Sequence, residues 1–307
     1  MGSFLAKRLL ALIPVAFGVV TLVALLAHVV PGDPVDSILG EYATHEEKQK
    51  LRSELKLDRP VVQQIGTYYK NIVRGDFGTS LLNNRPVFEM IVERFPATAE
   101  LAVLAVLTAI AISLPLGILS AVFAGRILDY AAMTLALVGI ATPTFWLGSM
   151  LILIFSLELD WLPVSGRDAW STYILPSFTM GTALAAILSR MTRNSMLDVL
   201  KEDYVRTARA KGLSETFVVC KHAFRNAALP LVTVIGLQFG VVLTGAVITE
   251  VIFDWPGLGS LLLDAVRGRD YPVIQGCVLM FSATYLFVNL ATDIIYAMVD
   301  PRIKLSR

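Results

Sequence analysis

The sequence predicts an all-α integral membrane protein with six transmembrane helices and both termini on the cytoplasmic side. The first observation is composition: 55% of the 307 residues are hydrophobic and 17% are charged, and a mean hydropathy of +0.67 is too high for an ordinary soluble domain. The second is a series of uncharged apolar runs, most of them about long enough to cross a ~30 Å hydrocarbon core. The third is charge asymmetry. In this topology 14 of the 26 lysines and arginines lie inside, and three lie in the two short outer loops.

The first predicted span is an uncharged run, residues 9–30, which follows Lys7 and Arg8. A cleavable signal peptide is the competing interpretation. Such peptides have apolar regions of roughly 7–15 residues and end at a small-residue cleavage site, whereas this run ends in VVPGDP. Residues 1–30 are therefore predicted to form a cytoplasmic N-terminus and a retained first helix.

Residues 31–96 are polar and predict a helical insertion on the extracytoplasmic side. Thr44 and Glu47 have the spacing of a capping box, and Pro60 introduces an amphipathic helix. A third short helix is expected to end before Pro96. We expect the apolar faces of these helices to bury against the outer ends of the membrane helices or the lipid interface, with a docking surface for a partner as the alternative.

Residues 97–307 are predicted to form a core domain that contains the other five spans: 101–124, 130–157, 173–189, 226–249 and 273–299. Pro143 should bend the third span, because proline removes a backbone donor and crowds the preceding turn. In the fifth span Gly236 and Gly240 have GxxxG spacing, which allows two helix backbones to approach closely. Packing within the chain is the expected use of this face, and a two-fold-related contact with another subunit is the alternative.

The segment 193–230 separates two apolar spans and carries seven basic and four acidic side chains, which places it on the cytoplasmic side. Its interior predicts a helix that ends near Lys211, a turn with positive φ at Gly212, and a second helix opened by Ser214 and Glu215. A polar helix–turn–helix held at the membrane surface is suited to contact by another protein.

The residues of this segment also carry a family resemblance. EDYVRTARAKGLS, followed by KHAFRNAALP, resembles the cytoplasmic coupling loop of ABC-transporter permeases, in the form found in the dipeptide, oligopeptide, glutathione and nickel permease family. GDFGTSLLNNRPVFEMIVERFPATAELA and VIFDWPGLGSLLLDAVRGRDYPVIQG are similar to two further blocks of that family. The better-known importer form of the loop has a Glu-Ala-Ala triplet six residues before the glycine, where this chain has Arg206, Thr207 and Ala208.

The resemblance implies the type I ABC importer permease fold and a role as one permease half of a bacterial inner-membrane importer. It implies short peptides of the dipeptide type as substrate, with glutathione or a nickel chelate as alternatives. The implied partners are a second, related permease, two ATPase subunits, an extracytoplasmic binding protein and membrane lipid. The residues to which the resemblance gives an ATPase-coupling role are Glu202, Asp203, Arg206, Thr207, Ala208, Ala210, Lys211 and Gly212.

Catalytic signatures are missing from the sequence. No GxxxxGK[ST], HExxH, CxxC or GxSxG occurs, so no catalytic or metal site and no cofactor are predicted, and ATP with Mg²⁺ would be bound by the partner ATPase subunits. The basic residues lie beside apolar spans rather than in a stripe with interleaved aromatics, which argues against nucleic-acid binding.

A membrane-embedded enzyme and a proton-coupled carrier remain as alternatives. The first is disfavoured by the missing catalytic constellation, and the second by scarce intramembrane carboxylates and no evident internal repeat.

Three polar residues within the predicted spans are candidates for the transport path or for internal pairing. These are Gln238 in the fifth span, and Asn289 and Asp293, which are four residues apart on one face of the sixth. A charge at membrane depth costs roughly 2.5–3.5 kcal/mol on insertion scales, so Asp293 should face protein or water. Pairing with a cationic side chain near the inner surface is the expected role of Asp293, and lining the path is the alternative.

Overall fold

The computed structural model describes residues 2–29, 35, 39, 43–54 and 58–299, and the described part is helical, with no β-strand and a single isolated bridge between Thr79 and Pro86. Two π-helical turns, Ile152–Glu158 and Val218–Ala223, and a 3-10 turn, Trp170–Tyr173, occur between the α-helices. The α-helices are α1 Gly2–Val29, α2 His45–Glu54, α3 Val61–Val73, α4 Val87–Val122, α5 Ile127–Ala141, α6 Thr144–Leu151, α7 Ile174–Val199, α8 Asp203–Ala210, α9 Glu215–Phe217, α10 Phe224–Ile252, α11 Leu258–Gly268 and α12 Tyr271–Val299.

The described residues contain four helical segments that are long and apolar enough to cross a membrane, or five if a bent pair is one span. The four are Val87–Val122, Trp170–Val199, Glu215–Thr244 and Tyr271–Ile295, and the bent pair is Ile127–Ala141 with Thr144–Glu158. Helix α1 adds a shorter apolar stretch, Leu10–Leu25. The all-helical, multi-pass class is confirmed, while the count of six and the side of each terminus stay predictions. The predicted end of the first span at Val30 and the C-terminal segment 300–307 lie outside the described residues.

The chain bends at Pro143 more sharply than a kinked helix does. The two helices around it, α5 and α6, meet at 102°. Thr142 has an extended backbone, with φ −79° and ψ 120°, because the ring of a following proline disfavours the helical conformation. The expected bend is confirmed, and it is a break in the third predicted span.

The prediction that a short helix ends before Pro96 is wrong. Helix α4 runs for 36 residues, from Val87 through Pro96 to Val122. An internal proline costs a helix one hydrogen bond, but the helix continues where tertiary packing holds both sides. Ile91 and Leu101 are both almost fully buried. The end of the predicted insertion and the second predicted span are therefore one continuous element.

The chain forms two compact units, the first made of residues 1–98 and 256–286 and the second of residues 99–255 and 287–307. The core of the first unit joins the start of α4 to α11 and to the start of α12 through ten buried residues that include Val87, Ile91 and Leu258. The buried carboxylate of Asp270 accepts hydrogen bonds from Ser80 Oγ at 2.5 Å and from the Leu81 N–H at 3.1 Å, which ties the loop before α4 to the start of α12.

The predicted helix starts in the insertion are confirmed. Glu47 Oε2 accepts a hydrogen bond from the Thr44 N–H at 2.9 Å, and the Glu47 N–H donates to Thr44 Oγ1 at 3.4 Å. Helix α3 begins directly after Pro60. Tyr69 of α3 stacks on Phe17 of α1 with ring centroids 5.1 Å apart and donates to its carbonyl at 2.6 Å. One side of α3 therefore packs on α1, although no residue of α3 is fully buried.

Helix α7 forms the centre of the second unit and packs against α5 and α10. Gly181 lies against the backbone of Ala105 and Gly117 against Ser189 and Thr192, so α4 and α7 are close at two levels. Helix α7 continues beyond the fourth predicted span, 173–189, to Val199. The segment 193–230 accordingly begins within α7 and ends within α10.

Candidate functional site

The centre of the charged segment has the predicted helix–turn–helix form. Helix α8 ends at Ala210, and Lys211 is its C-terminal cap. Gly212 has φ +74°, in the left-handed region that glycine adopts at little cost. Ser214 has an extended backbone and precedes α9, which begins at Glu215. This local structure, predicted from the positions of glycine, serine and the charged residues, is confirmed.

Helix α8 packs against the long apolar helices through a small apolar surface. Val205 is 0% and Ala208 6% exposed. They contact a buried cluster contributed by α4, α7, the second π-helical turn and α10: Ala121, Met196, Val218, Val219, Ala223 and Ala227. We call these eight residues the α8 pad. The pad thus joins α8 to the ends of three long helices.

The outer face of α8 carries most of the residues predicted to couple to a partner. Glu202, Asp203, Arg206, Thr207, Ala210, Lys211 and Gly212 are all exposed. Ala208 is different, because it is three residues from Val205 and therefore shares the inner face of the helix. Ala208, named among the coupling residues, lies in the α8 pad rather than on the outer face, and its coupling role stays a prediction.

Polar contacts hold the two helices and the turn in one shape. Arg209 donates to Glu215 through Nη2 at 2.7 Å and through Nε at 3.1 Å, across the Gly212 turn. The Glu215 carboxylate raises the pKa of the Arg209 guanidinium. Asn226 Nδ2 donates to the hydroxyl of Tyr204 at 2.8 Å, which links α8 to α10. The pair between Asp203 and Arg206, at 3.5 Å, is largely exposed and contributes little.

Gly212 is at the exposed tip of this structure. A Cβ built on Gly212 has no heavy atom within 4 Å. A Cβ at position 212 would therefore meet no other part of the described chain, and its main cost inside the chain is the positive φ. A larger effect of a small side chain at this position would indicate contact with a partner.

An ion pair that was not predicted from the sequence lies beside the α8 pad. Arg193 of α7 donates to both carboxylate oxygens of Asp129 at the start of α5, with distances of 2.6 and 2.7 Å. Ser120 Oγ and the Gly125 N–H also donate to Asp129, which is 2% exposed. Arg193, predicted as a basic side chain of the loop, is thus part of a helix. A single carboxylate at the start of an apolar run was the available signal, because such groups are normally paired.

The glycine pair of the fifth span lies on α10. Gly236 faces the side chain of Thr292 on α12, and a Cβ at position 236 would overlap Thr292. Gly240 is buried, and its carbonyl accepts a hydrogen bond from Thr244 Oγ1 at 3.2 Å. The structure thus places Gly236 at a close crossing of two helices of the same chain.

The three polar candidates of the spans lie on two helices. Gln238 is half-buried on α10, and Asn289 and Asp293 are half-buried one turn apart on α12. The Oδ1 atom of Asn289 is buried and has no hydrogen-bond partner among the described residues. Within the same ranges no three His, Cys, Asp or Glu side chains are grouped so that they could hold a metal ion.

Comparison with known proteins assigns the chain to a family along nearly its whole length. Residues 1–102 match the family described as the N-terminal part of the binding-protein-dependent transport system membrane component, and residues 113–305 match the binding-protein-dependent transport system inner membrane component. The chain is 48% identical over 304 residues to the glutathione transport system permease protein GsiC of Escherichia coli (strain K12), covering 99% of each chain. It is equally similar to the protein of that name in Shigella dysenteriae serotype 1.

Solved structures show the same fold at low sequence identity. A chain of the inward-facing MetNI methionine ABC transporter aligns with a TM-score of 0.59 at 17% identity, over 69% of this chain and 97% of that one. A chain of an amino acid ABC transporter crystallised with histidines aligns with a TM-score of 0.51 at 16% identity, over 70% and 94%. With two family matches that together span most of the sequence, the chain belongs to the inner-membrane permease components of binding-protein-dependent ABC importers.

Proposed function

We propose that this chain is a permease subunit of a glutathione importer in a bacterial inner membrane. The observation that carries the proposal is the 48% identity to GsiC over 99% of both chains. Glutathione was the alternative in the sequence analysis, and it fits this similarity better than the dipeptide substrate expected there. A membrane-embedded enzyme and a proton-coupled carrier are set aside, because the family consists of transport permease subunits.

The proposed complex contains a second related permease, two ATPase subunits that bind and hydrolyse ATP with Mg²⁺, and an extracytoplasmic binding protein that delivers the substrate. In this arrangement the chain crosses the membrane six times and both termini are cytoplasmic. Residues 31–96 form the extracytoplasmic insertion and 97–307 the core domain. The asymmetric distribution of lysine and arginine supports this orientation.

Helix α8 and the Gly212 turn would receive the motion of the ATPase subunits. The exposed face, from Asp203 to Gly212, supplies the contact, and the Arg209–Glu215 brace keeps the turn in shape. The α8 pad then passes a displacement of α8 to α4, α7 and α10. Alternation between inward-open and outward-open states requires such an element, because ATP can shift the equilibrium only through contacts that differ between the two states.

Reconstitution of the complete complex in liposomes tests the substrate. ATP hydrolysis is measured with the binding protein added empty or loaded with glutathione, a dipeptide, an oligopeptide or a nickel chelate. Glutathione is expected to give the largest stimulation and to accumulate inside the liposomes. A larger response to the dipeptide would restore the first expectation. The purified chain alone serves as the control and should not hydrolyse ATP, because it has no phosphate-binding loop.

A further inference from the structure

A cavity between α5 and α7 lies beside the Asp129–Arg193 ion pair and has a volume of about 410 Å³. Its polar wall contains Arg190, Arg193 and Asn194 of α7, and its other wall contains Tyr130, Met133 and Leu137 of α5. The residues of α5 are three and four positions apart, so they form one stripe on that helix. The cavity therefore has a cationic side and a largely apolar side, both within the second unit.

The charges of the cavity do not cancel. Asp129 is paired with Arg193 through two hydrogen bonds, which leaves the positive charge of Arg190 unbalanced. Arg190 is exposed and has no hydrogen bond or ion pair to any residue that the structure describes. It is one helical turn from Arg193, toward the apolar part of α7. Beside an apolar helix surface, a cation is stable only when an anion or water accompanies it.

The shape of the cavity selects the kind of anion. From Tyr130 the apolar stripe continues along α5 to Leu137, a distance of about 10 Å at 1.5 Å per residue. Tyr130 and Leu137 are 67% and 58% exposed, so the stripe is open to the surroundings of the helix. Tyrosine is typical of the level of lipid headgroups, and basic pockets between membrane helices bind anionic headgroups. A ligand with a phosphate at one end and a hydrocarbon chain at the other would satisfy both walls.

We propose that this cavity is a binding site for an anionic phospholipid, whose phosphate pairs with Arg190 and hydrogen-bonds to Asn194 while one acyl chain lies along Met133 and Leu137. The proposed lipid is not the transported substrate, so the proposal does not depend on which substrate the importer carries. Because the lipid would contact the turn of α7 next to the Arg193–Asp129 pair, it would brace the same helix end that carries Met196 of the α8 pad.

Native mass spectrometry of the purified complex tests the site with two probes, phosphatidylglycerol and phosphatidylcholine of the same chain length. The wild-type complex is expected to retain phosphatidylglycerol in preference, and Arg190→Gln to lower that preference about fivefold, as removal of one cation near an anionic headgroup predicts. Arg190→Lys keeps the charge and should keep the preference. Arg225→Gln removes an arginine that does not line the cavity and should change nothing.

Three results would overturn the proposal. An unchanged preference in Arg190→Gln would place the lipid elsewhere. Displacement of the lipid by water-soluble glycerophosphoglycerol at equal concentration would indicate a soluble anion, since the acyl chain would then contribute nothing. If the separated chain retains phosphatidylglycerol but the assembled complex does not, a protein subunit covers the cavity in the complex. If Arg190→Gln does not insert, a photoactivatable phosphatidylglycerol on the wild-type complex replaces it, and crosslinks outside the facing parts of α5 and α7 would reject the site.

Discussion

Arg193 donates two hydrogen bonds to Asp129 from one edge of its guanidinium, Nε to Oδ1 at 2.6 Å and Nη2 to Oδ2 at 2.7 Å. The pair joins the start of α5 to α7 one turn before Met196, which lies in the α8 pad. Asp129 also accepts a hydrogen bond from Ser120, the neighbour of Ala121 in the same pad. The buried carboxylate of Asp129 is therefore linked to two places beside the α8 pad: to α7 near Met196 and to α4 next to Ala121.

Removal of Arg193 should be strongly destabilising. Arg193→Met leaves the buried charge of Asp129 without its partner, which typically costs about 3–5 kcal/mol. The double variant Asp129→Leu with Arg193→Met removes both charges and should recover much of that loss. Thermal unfolding of the purified protein measures both. Arg206→Met is the matched control, since it breaks only the exposed pair with Asp203 and should shift stability by about 1 kcal/mol or less. An Arg193→Met variant as stable as the control would contradict the importance of the buried pair.

Gly236→Leu should destabilise the chain itself. Its side chain would overlap Thr292 on α12, and excess volume at a packed contact typically costs ~1–3 kcal/mol. Gly66→Leu on α3 is the control, because a Cβ at Gly66 has no neighbour within 4 Å. Thermal unfolding of each variant, purified without a partner, separates the two. Normal stability of Gly236→Leu combined with loss of a second permease on purification would instead assign this face to a subunit contact.

The six-helix topology predicts opposite sides for two reporters. A reporter fused after Arg307 should lie in the cytoplasm, and a reporter inserted near Glu46 should lie on the extracytoplasmic side. These positions follow from an even number of crossings and from the Lys/Arg distribution. The measurement is a pair of phosphatase and fluorescent-protein fusions at each position. If both positions report the same side, the number of spans is wrong.

The sequence predicted the parts of the structure that depend on neighbouring residues. The positive φ of Gly212, the start of α9 after Ser214 and the capping box of Thr44 with Glu47 are all confirmed, because each is determined within a few residues. Pro143 was placed at a bend for the same reason. Local rules failed at Pro96, where packing on both sides outweighs the cost of a proline.

The remaining features depend on contacts between distant residues. Asp129 and Arg193 are 64 positions apart, and nothing in the sequence around either one names the other. The burial of Ala208 likewise follows from the way α8 lies on Met196 and Ala223, whereas the predicted interaction surface was a continuous stretch of sequence. Helix α8 could be predicted from the sequence, but the face of α8 that packs against the other helices could not.

Arg206→Glu tests how α8 meets the ATPase subunit. Arg206 is exposed, so the reversal of its charge should leave the fold intact and replace its weak ion pair with Asp203 by a weak repulsion. We expect weaker coupling, seen as less stimulation of ATP hydrolysis by the loaded binding protein in liposomes. The better-known form of the loop has glutamate in this register, so full coupling of the variant would instead indicate a shared docking mode.

Gly212→Val tests whether the turn itself carries the signal. Valine is penalised at φ +74°, by roughly 1 kcal/mol or more, but the structure offers no clash inside the chain. The variant should therefore insert and retain the second permease, yet show lower transport and less stimulation of ATP hydrolysis. Gly212→Asn is the matched variant, because asparagine tolerates the left-handed backbone and adds bulk with little strain. If strain alone causes the loss, asparagine restores transport. If bulk at a contact with the ATPase causes it, both variants are uncoupled, although only the valine variant is strained at φ +74°. Wild-type transport by Gly212→Val would show that the signal enters elsewhere on α8, and the exposed face from Asp203 to Ala210 would then have to carry it alone.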